Sequence, residues 1–226
     1  MIGEKMQKNL SSYVNIVGAI KTVGFSLFRN RFGEEYFVWN IDGEKEVALT
    51  FDDGPNNGST EKVLRILEEE SVKAVFFLIG EQVKKYPEVA RKIAEQGHLI
   101  GNHTLTHRNL RKLASREIEE ELLVTQKIIA DVTGVSPKIM RPPMGRVSFR
   151  TVEIAKRFGL KTIMWTKSAK DYKMRGTDFV LKRLNSKNIK TGDIILFHDG
   201  NEDAVNALPC ILRDLKSSGY HFGFVN

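Results

Sequence analysis

Two aspartates stand side by side at Asp52-Asp53, after the apolar run Val47 to Phe51 and before Gly54-Pro55. An apolar run that ends in a Gly-Pro turn signal reads as a strand running out into a loop. Successive side chains along a strand face opposite ways. The two carboxylates therefore serve one pocket only where the backbone leaves the pleat at the strand's end. There they repel each other unless a cation sits between them or one takes up a proton. A metal ligand beside a general base satisfies both, while an Asp-rich turn capping the next helix is the plainer alternative. Downstream, His103-Thr104-Leu105-Thr106-His107 spaces two imidazoles four apart. On a helical turn that spacing puts both on one face, close enough to share a cation. Two histidines and one carboxylate leave a coordination position open for water, which is the arrangement of a catalytic zinc. With no cysteine in the set, Co²⁺ or another first-row divalent ion also suits it.

Such residues need a scaffold that brings them together. From Glu46 onward, strand-like runs alternate with helical patterns. The strands expected are Val47–Phe51, Ala74–Ile79, Leu99–Asn102, Ile139–Arg141, Thr162–Trp165, Ile194–His198 and Phe222–Val225. The helices expected between them are Ser59–Glu70, Pro87–Gln96, Ser115–Thr133, Phe149–Phe158, Thr177–Asn188 and Asp203–Ser218. Gly97, Gly134, Gly159 and Gly219 stand just past four of these helices, where glycine ends a helix readily. Repeated strand–helix units imply a parallel sheet, doubly wound or closed into a barrel. The chemistry-bearing residues then gather at one end. Asp52 and Asp53 end the first strand, His103 and His107 follow the third, Arg141 ends the fourth, Asp171 follows the fifth and His198 ends the sixth. Parallel barrels build their active sites from the C-terminal ends of strands. Taken singly, Arg141-Pro142-Pro143 reads as a rigid strand exit and His198-Asp199-Gly200 as a turn. Five such segments at one end do not reduce to turn decoration.

The 226 residues, 41% apolar and 28% charged, are ample for a proper core. Residues 46–226 contain no repeat, low-complexity tract or linker and read as one domain. Residues 1–45 read as an N-terminal helical extension. Leu10, Val14, Val17, Ile20, Leu27 and Phe28 form an apolar face at helical spacing, and Tyr36 to Ile41 suggests a short strand. Lys5 and Lys8 before a short apolar run ending Val17-Gly18-Ala19 loosely resemble an export signal, while Lys21 counts against a full membrane span. The readings for this extension are a helix packed on the domain or a membrane surface, a signal, or a plain extension. The net charge of +7 is spread among interleaved acids without an aromatic stacking pattern, which argues against a nucleic-acid partner. It suits an anionic envelope surface or simply a solvated face. The single cysteine, Cys210, excludes an intramolecular disulfide and a cysteine-based zinc site.

Thr50-Phe51-Asp52-Asp53, His103-Thr104-Leu105-Thr106-His107, Arg141-Pro142-Pro143 and Leu196-Phe197-His198 resemble, in order and spacing, the motifs of the polysaccharide deacetylases. This is the NodB-homology group, carbohydrate esterase family four, and the likeness runs from about Val47 to the C-terminus. The resemblance implies an α/β fold, a deformed (β/α) barrel of about seven parallel strands, and metal-dependent removal of an N-acetyl group from an amino sugar. It makes Asp53, His103 and His107 the metal ligands, Asp52 the general base and His198 the general acid. It further makes Arg141 the arginine that orients the base and Asp171 the carboxylate paired with the acid histidine. Pro143, Met144, Tyr172 and Leu196 fall to the substrate groove, Leu196 as a wall of the acetyl pocket. Three positions depart from the family pattern. Met144 stands where Tyr or Phe is usual, Ser168 where an Asp is, and Tyr172 where a Trp is. The departures bear on which sugar is bound, and Trp165 reads as a core residue that can also stack on a sugar.

The substrate expected is an N-acetylated glycan, peptidoglycan or a chitin-like oligosaccharide, with a divalent metal, zinc before cobalt, as cofactor. An O-acetyl xylan esterase on the same site and a catalytically inactive glycan-binding pseudoenzyme are the alternatives. A wall substrate implies the cell envelope or exterior, with residues 1–45 as a peripheral membrane or wall tether. A cytoplasmic location stays open, and no oligomeric state is assigned.

Overall fold

The computed structural model describes residues 26–225. The signal and anchor readings of the N-terminus fall mainly on residues 1–25, outside the described residues. Helix α1 occupies residues 26–32 at the start of the described chain. Strand β1, Phe37–Val38, follows it. Residues 26–45 therefore bring α1 and β1 to the fold, and β1 pairs with a strand of the main sheet.

The longest strand, β2 (Glu46–Gly54), carries the alternation that organises the barrel. Val47, Leu49 and Phe51 pack outward into the large core beneath the helices, whereas Ala48 faces the small apolar cluster inside the curled sheet. The same period of two recurs in β3 (Val75–Leu78), where Phe76 and Leu78 face the helices and Val75 and Phe77 the interior. It recurs again in β8 (Ile194–His198), with Ile195 and Phe197 outward and Ile194 inward. Continued up the inward face, the alternation passes from apolar residues to Thr50 and Asp52 on β2 and to Leu196 and His198 on β8. On β4 (Leu99–Asn102) and β5 (Ile139–Met140) the next inward positions after Gly101 and Ile139 are His103 and Arg141. One register rule thus delivers four functional side chains to one end.

The remaining strands are β6 (Lys161–Ile163), β7 (Lys167–Ser168) and β9 (His221–Phe222). Strand order is β1-β6-β5-β4-β3-β2-β8-β7, with β9 added beside the start of β2, and every ladder between these strands is parallel. Met164-Trp165-Thr166 crosses from one end of this order to the other. Met164 N–H donates to Val38 O at 2.7 Å and Thr166 N–H to Ile194 O at 3.1 Å, drawing the sheet's two edges together. The expected deformed barrel is therefore the observed one, with eight strands along the curl.

The helices are α2 (Ser59–Glu69), α3 (Gly80–Lys85), α4 (Pro87–Glu95), α5 (Ser115–Thr133), α6 (Phe149–Arg157), α7 (Thr177–Arg183) and α8 (Glu202–Ser217). None among the described residues is long and apolar enough to cross a membrane. Several boundaries differ from the sequence reading, and β2 itself runs on to Gly54, past the expected Phe51. The expected strand Thr162–Trp165 stops at Ile163 as β6, because Met164 and Trp165 make the crossing to β7. The helix expected over 177–188 ends at Arg183 and resumes as a 3₁₀ turn at Ser186–Asn188. The last strand is His221–Phe222, not Phe222–Val225. Helix α3 escaped notice because it is short and abuts α4. Pro87 holds Tyr86 out of helical conformation (φ −129°, ψ 59°), so the two are separate.

His98 lies at the entry to β4, 7% exposed, with Phe76 edge-on at 5.2 Å and its Nδ1 accepting from Ala74 N–H at 3.2 Å. Burial, helped by the charge of Lys73, pushes the imidazole down to about 4. Its folded pKa is thus depressed below the ordinary histidine value. The stability it contributes is present above about pH 6.5 and lost as pH falls toward 4, by on the order of 3 kcal/mol at most. His98→Asn keeps an acceptor without the titration. In urea titrations, the stability of the unmodified chain relative to His98→Asn is expected to decline between about pH 7 and about pH 4.5. A difference that stays flat would overturn the buried neutral imidazole.

Candidate active site

The problem set by two adjacent aspartates is solved in the backbone. The β2–β3 register slips between Asp52 and Gly54, a bulge at Asp53, and Asp53 takes a left-handed conformation (φ 72°). Asp tolerates that region better than most residues, and a bulge re-aims one side chain relative to its neighbours. Asp53 thereby reaches the same pocket as Asp52. The turn is held from outside. Asn56 donates from its side-chain amide to Asp53 O at 3.3 Å and to Asp199 O at 3.1 Å. The Asp199 carboxylate accepts from Ser59 Oγ at 3.1 Å and from Thr60 Oγ1, tying the start of α2 to the exit of β8. Gly54 is required for that approach, since a Cβ there would lie 2.5 Å from Asp199 Oδ2.

Asp53 Oδ1 lies 3.3 Å from His103 Nε2 and 3.2 Å from His107 Nε2. It is buried, with no hydrogen-bond partner among the described residues. A buried carboxylate oxygen left so is costly unless something electropositive meets it. A cation with bonds of about 2.0–2.1 Å at tetrahedral angles needs donors roughly 3.3 Å apart, the spacing seen. His103 Nδ1 lies 2.8 Å from Arg141 O. A carbonyl only accepts, so Nδ1 carries the proton and Nε2 offers its lone pair to the cluster. The donor set of one carboxylate and two imidazoles fits a divalent ion.

The histidine pair does not ride on a helical turn, as its spacing suggested. It lies in the loop after β4, with Thr104 (φ 69°) and His107 (φ 56°) left-handed and the two rings 5.1 Å apart. Local acceptors replace the helical bonds: Asn102 Oδ1 accepts from Thr104 N–H at 2.8 Å, and Thr104 Oγ1 from His107 N–H at 3.2 Å.

Arg141 is fully buried, and its guanidinium makes four hydrogen bonds. Nη1 donates to Asp52 Oδ1 and to Thr50 Oγ1, each at 2.7 Å, Nε to Ile163 O at 3.2 Å, and Nη2 to Met164 O at 2.9 Å. The Phe77 ring lies 4.1 Å from its centre. Thr50 Oγ1 donates onward to Ile195 O at 2.9 Å. Asp52 is therefore aimed from below while its Oδ2 stands 3.8 Å from His103 Nε2.

Across the cavity His198 Nδ1 meets Asp171 Oδ1 at 2.7 Å, and Asp171 Oδ2 accepts from the His198 N–H at 2.8 Å. Asp171 is itself fixed: Oδ1 accepts from Tyr172 N–H and its carbonyl from Asn201 Nδ2. Burial alone would lower the His198 pKa. The hydrogen bond and charge of Asp171, with the charges of Asp52 and Asp53, outweigh it and hold the imidazolium above its ordinary value.

Residues 40–163 match the family model described as polysaccharide deacetylase. The chain belongs to that family. Over 178 residues it is 38% identical to the peptidoglycan-N-acetylglucosamine deacetylase PgdA of Listeria monocytogenes, an overlap of 79% of this chain and 37% of the relative. The chain thus spans little more than a third of that relative's length. A solved structure of the Bc1960 peptidoglycan N-acetylglucosamine deacetylase is 34% identical and superposes with a TM-score of 0.79, covering 84% of this chain and 90% of that one. The wild-type BA3943 structure, a family-four pseudoenzyme from Bacillus anthracis, is 33% identical with the same TM-score, covering 84% of this chain and 67% of that one.

In this family member the groups converge on a cavity of about 380 Å³. Asp52, Asp53 and both histidines line one side, and Leu196 and His198 another. Of the expected groove residues, Met144 (57% exposed) and Tyr172 (58% exposed) form the rim and Leu196 a buried wall. Pro143 is buried and does not line the cavity. Trp165, Gly145 and Lys170 do line it. Gly145 (φ 64°) leaves room for the indole, which a Cβ would meet at 2.5 Å. Thr50 went unnoticed although its place two residues before Asp52 put it on the same inward face. Arg141→Met leaves the Asp52 carboxylate buried without its charge partner. Denaturant titration is expected to show a loss of roughly 3–5 kcal/mol, part of it recovered when Asp52→Leu is added. An equal loss in the double variant would overturn the pairing argument.

Proposed function

We propose that this chain is a metal-dependent N-deacetylase of an N-acetylated glycan, with peptidoglycan as substrate and zinc as the first candidate ion. The observation that carries the reading is the pocket in which Asp53, His103 and His107 share one focus while Asp52–Arg141 and His198–Asp171 flank it. The names of the relatives supply the glycan. Asp53, His103 and His107 would hold the ion, which when bound would supply an acidified water and a charge to polarise the acetyl carbonyl. Asp52 takes the proton from the attacking water as general base, aimed by its hydrogen bond from Arg141 Nη1. His198 delivers a proton to the departing amine nitrogen, and Asp171 keeps that imidazole charged. Leu196 forms the apolar wall against the acetyl methyl. Met144 and Tyr172 contact the sugar at the rim, with the buried Pro143 opening the 3₁₀ turn that carries Met144. The catalytic unit is residues 46–226 together with β1, whose Val38 carbonyl helps close the barrel, and the rest of residues 1–45 is an extension that keeps it at the cell envelope.

Acetate release from peptidoglycan and from N-acetylglucosamine oligomers, with added zinc or cobalt, tests the activity. Asp52→Asn and His198→Ala are each expected to lower kcat about a hundred- to ten-thousand-fold. Undiminished turnover in both would overturn the roles. Much faster release from acetylated xylan would favour an O-esterase, and tight glycan binding without turnover a pseudoenzyme. The complete set of ion ligands, base and acid speaks against the latter.

Since His198 must be protonated to act, kcat falls as pH rises through its raised pKa. Asp171→Asn removes the interactions that raise it, so the alkaline limb of kcat is expected to move to lower pH. A limb that does not move would separate His198 from the proton donation.

A further inference from the structure

We propose that Glu121 is a positioning residue that presets the His103–His107 loop for its cation, an inference that rests on the metal reading above. Glu121 lies on the inner face of α5, 4% exposed, among the buried side chains of Ile118, Leu122 and Thr125. A carboxylate on that face is costly unless its oxygens are satisfied. Every bond found for them goes to the loop between the two histidines. Oε2 accepts from Leu105 N–H at 2.8 Å and Thr106 N–H at 2.9 Å, and Oε1 accepts from Thr106 Oγ1.

The neighbouring side chains complete the hold. Asn102 caps Thr104 N–H and donates to Leu122 O and Gln126 Oε1 on α5, each at 3.0 Å. From the other side, Gly80 N–H and Glu81 N–H at the start of α3 donate to Thr104 O and Leu105 O. The loop needs such bracing because Thr104, a β-branched residue, and His107 both sit at positive φ. The two histidines depend on it unequally. His103 is buried and anchored through Nδ1 to Arg141 O, whereas the His107 side chain is 29% exposed and follows the loop. Glu121 therefore acts on His107, the ligand whose place is otherwise least determined.

The test is zinc affinity of the metal-free protein, by competition with a chromophoric chelator, alongside circular dichroism to confirm folding. Glu121→Ala and Glu121→Asp, whose carboxylate stops one methylene short, are each expected to weaken zinc binding about 10- to 100-fold. Glu121→Gln keeps a carbonyl oxygen for both N–H groups and an amide for Thr106 Oγ1, and is expected to stay within about threefold. Should Glu121→Ala fail to fold, Glu121→Asp decides. Folded Glu121→Asp with unweakened zinc affinity would overturn the proposal, as would a loss in Glu121→Gln equal to that in Glu121→Ala. Asp53→Ala separates the two levels. If it too binds zinc as tightly as the unmodified chain, the metal reading fails; if it alone loses zinc, only the role of Glu121 does.

Discussion

A guanidinium sealed inside a barrel has to be met on every side, and Arg141 meets that demand by binding to two strands and the segment that closes the barrel. Its partners are Thr50 and Asp52 on β2, Ile163 at the end of β6 and Met164 at the start of the crossing. Desolvating such a charge costs several kcal/mol, so the site tolerates little displacement of any partner. The same bonds that neutralise the arginine fix the orientation of Asp52. Thr50 extends the tie to β8, the strand that ends in His198. Asp52 and the strand that carries His198 are thus tied by one buried polar layer above the apolar floor of Ala48, Phe77, Ile139 and Ile194.

Within that layer two carboxylates one residue apart acquire different surroundings. Asp52 remains in the pleat and receives a cationic partner from the protein. Asp53, thrown out by the bulge, receives two imidazole nitrogens and is left with an unsatisfied oxygen between them. Environment alone makes one a candidate base and the other a candidate ligand. The arrangement across the cavity follows the same logic, with Asp171 spending both oxygens on His198 and its backbone. Asp199, next in sequence, turns away to the start of α2, where burial pushes its carboxyl up to about 6.

Much of this was legible because parallel strands translate position parity into direction. Once Val47, Leu49 and Phe51 are taken as core-facing, Thr50 and Asp52 must point the other way, and Ile139 and Arg141 follow the same rule on their strand. The His103–His107 spacing was legible as a pair and misleading as a helix. Four residues suit one helical turn, but Asn102 and Thr104 supply acceptors that favour an irregular loop, and no periodicity reports them. The early end of the strand expected at Thr162–Trp165 was hidden for a related reason, because closure of the barrel depends on carbonyls of Val38 and Ile194 far away in sequence. Glu121 was the least visible of all. In the run Glu117-Ile118-Glu119-Glu120-Glu121 it looks like one more solvated acid, and only the rotation of α5 separates it from the half-buried Glu119 and the exposed Glu120 beside it.

The parts that departed from the family pattern lie where this constraint is weakest. Met144 and Tyr172 are more than half exposed and sit on 3₁₀ turns beyond the strand ends, and Ser168 occupies the short last strand of the curl. None of them contacts the Arg141 layer through a hydrogen bond found in the structure. A change there alters what the cavity touches without disturbing how Asp52 or the Asp53 cluster is held, while Tyr172 also lies edge-on to the His198 ring at 5.5 Å. The buried polar side chains are thus locked into the barrel's inward register, whereas Met144 and Tyr172 sit on turns that the register does not reach.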